Sequence, residues 1–280
     1  MIEPFLSDDA LLADIQNARG EGGELHVWWL GQSGFLVQWN GQHALLDPYL
    51  SDSLTKKYAA TDKPHVRMSR RVIAPERLDF IDVVSSSHVH TDHLDPETLQ
   101  PLFSANPDLN FIVPSGINFE ALKRAKCSAN ALCGLDDGAS VDVGCFRFEA
   151  LPAAHNTIER DEVGRCKFLG YVVSVGPFQI YHSGDTLMYD GLDERLKAMA
   201  LDLALLPING DVPERHVAGN LNGTEAANLA KAAEARMVVP CHYDMFEFNT
   251  ASPDEFVAEC VRLGQTHRVL RLGERMTIEK

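Results

Sequence analysis

Three imidazoles and a carboxylate stand within six positions, at His88, His90, Asp92 and His93, directly after the apolar run Ile81-Asp82-Val83-Val84-Ser85-Ser86-Ser87. Neutral imidazole and carboxylate are the ligands that borderline divalent metals select. A lone histidine in a loop is ordinarily a solvated surface residue. Four such groups this close repel one another or stay unsatisfied unless a cation lies among them, so the cluster reads as a metal site. Alternate side chains of an extended strand share a face, which starts His88 and His90 on one side. A tight turn into the helix signalled by Asp95-Pro96-Glu97 then aims Asp92 and His93 at a second point. The spacing therefore fits two metals.

Other groups of ligand type also follow apolar runs: Asp47, His155, Asp185 and His242. Singly each has an ordinary explanation, as a turn residue before Pro48, a core histidine, or a turn residue after Gly184. Jointly they argue for one dinuclear pocket, because layered α/β sheets gather functional groups at one edge of their strands.

The elements that must hold these groups alternate between strands and helices. An amphipathic helix is expected over 7–19, capped by Ser7 and ended at Gly20. Strands follow at 26–30, 34–39 and 43–47, the last two split by the hairpin signal Asn40-Gly41. After the run at 81–87 come a strand at 110–114 and a helix at 115–127 with Ser115 as its cap. Strands at 139–143 and 145–151 lead to His155, and strands at 168–175 and 178–182 run into Ser183-Gly184-Asp185. A helix at 191–200, a strand at 203–207, a helix capped by Thr224 through Ala233 and a strand at 237–240 deliver Cys241-His242-Tyr243-Asp244. A helix at 253–263 and short strands near Val269 and Met276 complete the expectation. Strands 43–47 and 179–185 both end in a carboxylate, a partial symmetry expected of two similar half-domains facing each other.

Composition bounds the function. With 45% hydrophobic and 23% charged residues over 280 positions, the chain buries a core and reads as one globular domain over 1–280. Lys plus Arg number 25 against 40 Asp plus Glu, a net charge of -15, which disfavours nucleic acid and anionic membranes as partners. The start of the chain lacks the basic flank and apolar core of a secretory signal, and the six cysteines show no Cys-x-x-Cys pair, so a cytoplasmic location is expected. Cys241 beside His242 reads as a small buried residue rather than a nucleophile. The segment 51–77 departs from the acidic balance: Lys56, Lys57, Lys63, Arg67, Arg70, Arg71 and Arg77 outnumber Asp52, Asp62 and Glu76. It reads either as a solvated loop or as a lid that attracts an anionic substrate.

The motif His-x-His-x-Asp-His at 88–93, with Asp47, His155, Asp185 and His242 in the same order, resembles the metallo-β-lactamase superfamily of metal-dependent hydrolases. The resemblance implies a four-layer αββα sandwich. It also implies one metal on His88, His90 and His155, a second on Asp92, His93 and His242, and Asp185 bridging them. Within the superfamily, Trp28-Trp29-Leu30-Gly31, Tyr181-His182-Ser183-Gly184-Asp185 and Pro240-Cys241-His242-Tyr243-Asp244 are similar to the L-ascorbate-6-phosphate lactonase group. The Trp-rich strand also looks like the branch that cleaves N-acyl phosphatidylethanolamines.

Two divalent ions, zinc or manganese with iron also compatible, would activate a hydroxide that opens a small anionic lactone or ester. Candidate catalytic residues are Asp92, Asp47 and His182, with Asp47 orienting a ligand histidine. Candidates to position substrate are Arg67, Arg70, Arg71, Asn209, His216 and Tyr243. A phosphodiesterase or nuclease of the same superfamily is the alternative, and a non-catalytic metal-binding scaffold would require gaps among the ligands. The sequence leaves a homo-oligomer open.

Overall fold

A computed structural model describes residues 1–20, 22–212 and 219–280. His216 lies outside the described residues. Among them, thirteen strands form two sheets. The first half of the chain builds β1 (Leu25–Gly31), β2 (Gly34–Trp39), β3 (Gln42–Leu46), β4 (Val83–Ser85), β5 (Asn110–Pro114) and β6 (Leu132–Leu135). The second half builds β7 (Ser140–Val143), β8 (Phe146–Pro152), β9 (Leu169–Val175), β10 (Phe178–His182), β11 (Leu203–Pro207) and β12 (Val238–Cys241). The final strand, β13 (Arg275–Ile278), returns to the first sheet and pairs antiparallel with β1. The orders are β13-β1-β2-β3-β4-β5-β6 and β12-β11-β10-β9-β8-β7.

Each sheet contains an antiparallel hairpin followed by parallel strands. β2 and β3 pair antiparallel and β3, β4 and β5 parallel; β9 and β10 pair antiparallel and β10, β11 and β12 parallel. Parallel neighbours need a crossover, and helices provide most of them. α3 (Pro96–Ala105) links β4 to β5, and α4 (Asn118–Ala125) links β5 to β6. α5 (Leu192–Ala198) and α6 (Gly223–Ala232) do the same in the second sheet, where α6 packs on β11, β12 and α7 (Asp254–Leu263). The fold is an α/β sandwich of two mixed sheets with helices, as expected. One continuous core joins the sheets, and its strands are apolar on both faces, as in Val83-Val84 and Leu203–Leu206, which are all buried.

Several local expectations are corrected. β4 stops at Ser85, so His88 and His90 lie in a loop and not on a strand face; His90 closes that loop by accepting from the amides of His93 (3.1 Å) and Leu94 (2.8 Å). The helix expected from Ser115 begins only at Asn118, after a short 3-10 turn, and the Ser115 hydroxyl caps nothing. α1 (Asp8–Ala18) receives no side-chain cap from Ser7. Asn222, not Thr224, caps α6, in a reciprocal capping box with Glu225. No strand forms near Val269.

The basic segment is more ordered than its composition suggests. It forms α2 (Ser53–Tyr58), whose Leu54 enters a small separate core with Tyr49, Met245 and Phe246. Met68 N donates to Met245 O (2.8 Å) and Glu247 N to Val66 O (3.0 Å), strapping it to the chain that follows His242. Among the described residues no helix is long and apolar enough to cross a membrane.

Candidate metal centre

The groups of ligand type converge from five strand ends. Asp47 follows β3, the His88–His93 loop follows β4, His155 follows β8, Asp185 follows β10 and His242 follows β12. Asp47 (φ 41°) and His242 (φ 61°) take left-handed backbone conformations that L residues seldom adopt, as does Gln32 (φ 51°) in the turn between β1 and β2. Such conformations persist only where surrounding contacts fix them. Here His242 N donates to Gln32 O (2.9 Å) and Asp47 N to Ser85 O (3.1 Å).

The second sheet is pressed against the histidine loop. Leu169 N donates to Ser87 O (3.0 Å) and Tyr171 Oη to Ser86 O (3.1 Å). Gly184 (φ 59°) packs so closely on Ser87 that a Cβ there would lie 2.6 Å from the Ser87 Cβ. Only glycine lets the tip of β10 approach this far, and the next residue, Asp185, is thereby carried to the histidines. Its carboxylate lies 3.3 Å from His93 Nε2, 3.5 Å from His242 Nε2 and 3.9 Å from His88 Nε2.

The ligand atoms fall into two neighbouring groups, each with its atoms within 4.8 Å of one another: His88, His90 and Asp185, and Asp92, His93 and His242. In the first, His88 Nε2 and His90 Nδ1 face each other at 3.0 Å, and the His155 ring stands 4.9 Å from that of His90. In the second, Asp92 Oδ2 lies 3.4 Å from His242 Nε2 and 3.6 Å from His93 Nε2. A third grouping, Asp47 with His88 and His93, has a different role. Asp47 accepts from Ser87 N (2.9 Å) and from the Ser87 hydroxyl, and lies 2.6 Å from His93 Nδ1. A carboxylate there keeps the proton on Nδ1 and turns Nε2 toward the site. Gly219 does the same for His155, its carbonyl lying 3.1 Å from Nδ1. With φ at 82° and a Cβ position only 1.9 Å from that nitrogen, Gly219 tolerates no side chain.

The donor set fits divalent ions. His93 Nε2 and Asp185 Oδ1 are buried facing each other at 3.3 Å with no well-formed hydrogen bond to either, a state that a coordinated cation between them relieves. The charge pattern agrees. Burial pushes the His88 and His90 imidazoles below their ordinary range, which keeps them neutral and able to ligate. Burial alone would raise Asp92 and Asp185, but charged His93 and His242 outweigh it and hold both carboxyls well below the usual range. The carboxylates in turn overcome burial at the partner rings, raising His242 to about 9 and His93 well above its ordinary value. Two protons thus stand where cationic charge is wanted.

A family description, the beta-lactamase superfamily domain, matches residues 26–242, from β1 to the last histidine of the site. The chain belongs to the metallo-β-lactamase superfamily. It is 28% identical over 263 residues to a UPF0173 metal-dependent hydrolase of Opitutus terrae, covering 91% of this chain and 100% of that protein. In fold it is similar to Igni18, a metallo hydrolase of Ignicoccus hospitalis (TM-score 0.67, 21% identity, 92% of this chain and 99% of the other). It is also similar to an isothiocyanate hydrolase from Delia radicum gut bacteria (TM-score 0.72, 18% identity, 91% and 100%).

In this superfamily member the site floors a cavity of about 450 Å³, which His90, Asp92, His155, Asp185 and His242 line together with Lys57, Lys63, Arg124 and Asn209. Asn209, at the end of β11, donates through Nδ2 to Asn249 Oδ1 (2.8 Å).

Other expected residues are placed elsewhere. His182 is buried behind the site, its ring held between Ser33 O (2.8 Å) and Gly184 N (3.2 Å), where it supports the tip of β10 and does not line this cavity. Arg67 turns inward to Ser69 O (2.6 Å), Ser51 O (2.5 Å) and Asp52 (3.0 Å), because unpaired carbonyls of its own segment need donors. Arg70 is exposed and pairs with Glu3 at 3.4 Å, and Arg71 is exposed outside the cavity. Tyr243 stacks on Trp29 (4.6 Å) and donates to Leu270 O (3.1 Å), on the side away from the cavity.

Sequence reasoning also missed partners. Gln32 Nε2 donates to Asp92 Oδ2 (2.8 Å) and approaches His242 Nε2 (3.1 Å). Arg124, on α4, braces the ligand loop by donating to Val89 O (2.8 Å) and Leu94 O (3.4 Å), with Glu120 on its Nε (2.8 Å). For Ser87 the signal was adjacency to His88. For Gln32 and Arg124 no local signal existed.

Proposed function

We propose that the protein is a metal-dependent hydrolase, acting as one unit over its length, that opens a small anionic ester or lactone with two divalent ions. The observation that carries this reading is a pair of ligand groups at the floor of a cavity, His88, His90 and Asp185 beside Asp92, His93 and His242, with the Asp185 carboxylate also 3.3 Å from His93 Nε2 and 3.5 Å from His242 Nε2. Imidazole and carboxylate without thiolate favour zinc or manganese, and iron is also compatible. His88, His90 and His155 would hold one ion, Asp92, His93 and His242 the other, with Asp185 between them. When bound, the ions supply Lewis acidity and a water of lowered pKa.

The chain's own residues do the rest. Asp47 and Gly219 fix the tautomers of His93 and His155. Gln32 holds the Asp92 carboxylate against the floor, where Asp92 takes the proton of the attacking water and returns it to the leaving oxygen. In a lactone that oxygen stays attached to the product, so ring opening needs only this one proton. A sugar-phosphate lactone such as L-ascorbate 6-phosphate belongs to the class, and the cavity's size of about 450 Å³ and the charge of -15 favour it over a polynucleotide.

The test is hydrolysis by metal-loaded protein of phosphorylated sugar lactones, small carboxylate esters and oligonucleotides, with chelator-treated protein as control. Chelator-sensitive opening of a lactone or ester is expected. Cleavage of oligonucleotides alone, at physiological salt, would replace the reading with the nuclease alternative.

A further inference from the structure

Above its ligand floor the cavity carries the cations Lys57 and Lys63 and the aromatic side chains of Tyr58, His65, Phe246 and Phe248. Four other cations of the basic segment are paired, Lys56 with Glu97 (2.7 Å), Arg67 with Asp52, Arg70 with Glu3, and Arg77 with Asp8 and Asp9, and Arg71 is exposed outside the cavity. Lys57 and Lys63 line the cavity and make no ion pair among the described residues, although the chain carries 40 carboxylate side chains. Lys57 Nζ stands 5.0 Å from the centroid of the Tyr58 ring.

Beside them, Tyr58 stacks on His65 (4.2 Å between centroids, 17° between planes), and Phe248 meets the same imidazole edge-on at 4.4 Å. Phe246 backs the group at 5.2 Å and is anchored in the small core with Tyr49, Leu54 and Met245. Burial first, with help from Lys57 and Lys63, holds the His65 pKa down, so this wall is an uncharged aromatic surface at neutral pH. It is preassembled: Thr55 Oγ1 donates to His65 O (2.8 Å), and the strap between 66–68 and 245–247 fixes both of its strands of chain.

We propose that the substrate carries an oxyanion group on a body with a flat, unsaturated face, the oxyanion held by Lys57 and Lys63 and the flat face lying against Tyr58 and Phe248. Ammonium groups without carboxylate partners bind an anion without first breaking an ion pair, and a flat body gains from stacking on rigid rings. The proposal rests on the cavity being the substrate site, but it concerns binding and stands or falls apart from turnover.

Calorimetric titration of the metal-loaded protein with phenylphosphonate, methylphosphonate and benzyl alcohol tests it. Phenylphosphonate should bind tightest of the three. The Lys57→Gln/Lys63→Gln variant should lose about tenfold in affinity for both phosphonates, lose most of their salt dependence, and keep its metal content. Phe248→Leu, which preserves apolar volume without the ring, should lose about threefold for phenylphosphonate and nothing for methylphosphonate. Unchanged phosphonate affinity in the lysine variant would overturn the proposal, since the floor alone would then hold the anion. So would equal affinities for phenyl- and methylphosphonate, or no binding by the wild type. Binding as described with no hydrolysis of any ester or lactone would leave this inference standing and sink the hydrolase reading.

Discussion

The two sheets share a local plan and supply the site in different ways. In each, a hairpin is followed by parallel strands, and β3 and β10 occupy corresponding places. The first sheet concentrates its groups at two neighbouring strand ends, with Asp47 after β3 and His88, His90, Asp92 and His93 in a single loop after β4. The second contributes scattered residues, His155 after β8, Asp185 after β10 and His242 after β12. The first sheet thus holds a nearly complete half-site by itself, and the second completes both ligand groups only when it docks. Asp185 is where the halves meet, with its carboxylate facing His88, His93 and His242.

That asymmetry is open to attack by substitution. Asp185→Ala removes the shared group, so it should have the largest effect: loss of bound metal from both ligand groups and a fall in kcat/KM of about 10³-fold or more. Metal analysis beside kinetics checks this, and retention of both ions would mean that the halves do not meet there. His90→Ala touches one group only. It should strip one ion and leave the Asp92, His93 and His242 group loaded; loss of both would show that the first sheet's loop is a single cooperative unit.

Asp47→Asn is a finer probe, because it preserves shape while weakening the hold on the His93 tautomer. Metal affinity should fall by about 10- to 100-fold, measured by competition with a chelator of known affinity. An unchanged affinity would make Asp47 a turn residue and nothing more.

The pH dependence of the metal-free protein gives the smallest effect and a definite sign. His242 is raised to about 9 by Asp185 and Asp92. A raised pKa contributes stability fully below the unfolded value of about 6.5 and loses it as pH climbs through the folded value. Metal-free protein should therefore melt at a lower temperature at pH 9.5 than at pH 6.5. Metal loading should displace these protons and tighten with rising pH over the same window. A melting temperature that rises toward pH 9.5 without metal would contradict the pairing of His242 with the carboxylates.

The same asymmetry explains what the sequence made legible. The β4 loop is dense enough to be read locally, and apolar runs ending in Asp or His mark the other strand tips one by one. The contacts that seat those groups are not local. Gln32 reaches Asp92 and His242 only because β1 and β2 turn beside β12, and Arg124 reaches Val89 only because α4 packs beside the loop. Gly219 matters only because His155 lies against it.

In the basic segment, charge was visible and direction was not. Arg67 is drawn inward by the carbonyls of Ser51 and Ser69, while Lys57 and Lys63 are left facing the cavity. His182 stands three residues before a ligand in sequence, yet it is the last residue of β10 and its ring is taken up by Ser33 O, while the turn at Gly184 carries Asp185 to the histidines. Helix starts failed for a similar reason: Asn222 outcompetes Thr224 because Glu225 completes its capping box.

The claim that the two sheets build one centre for two ions is tested most directly by anomalous X-ray diffraction from crystals of the metal-loaded protein. The account predicts two peaks per chain, one among His88, His90, His155 and Asp185 and the other among Asp92, His93, Asp185 and His242. A single peak on the first sheet's residues alone, or none within reach of Asp185, would contradict it.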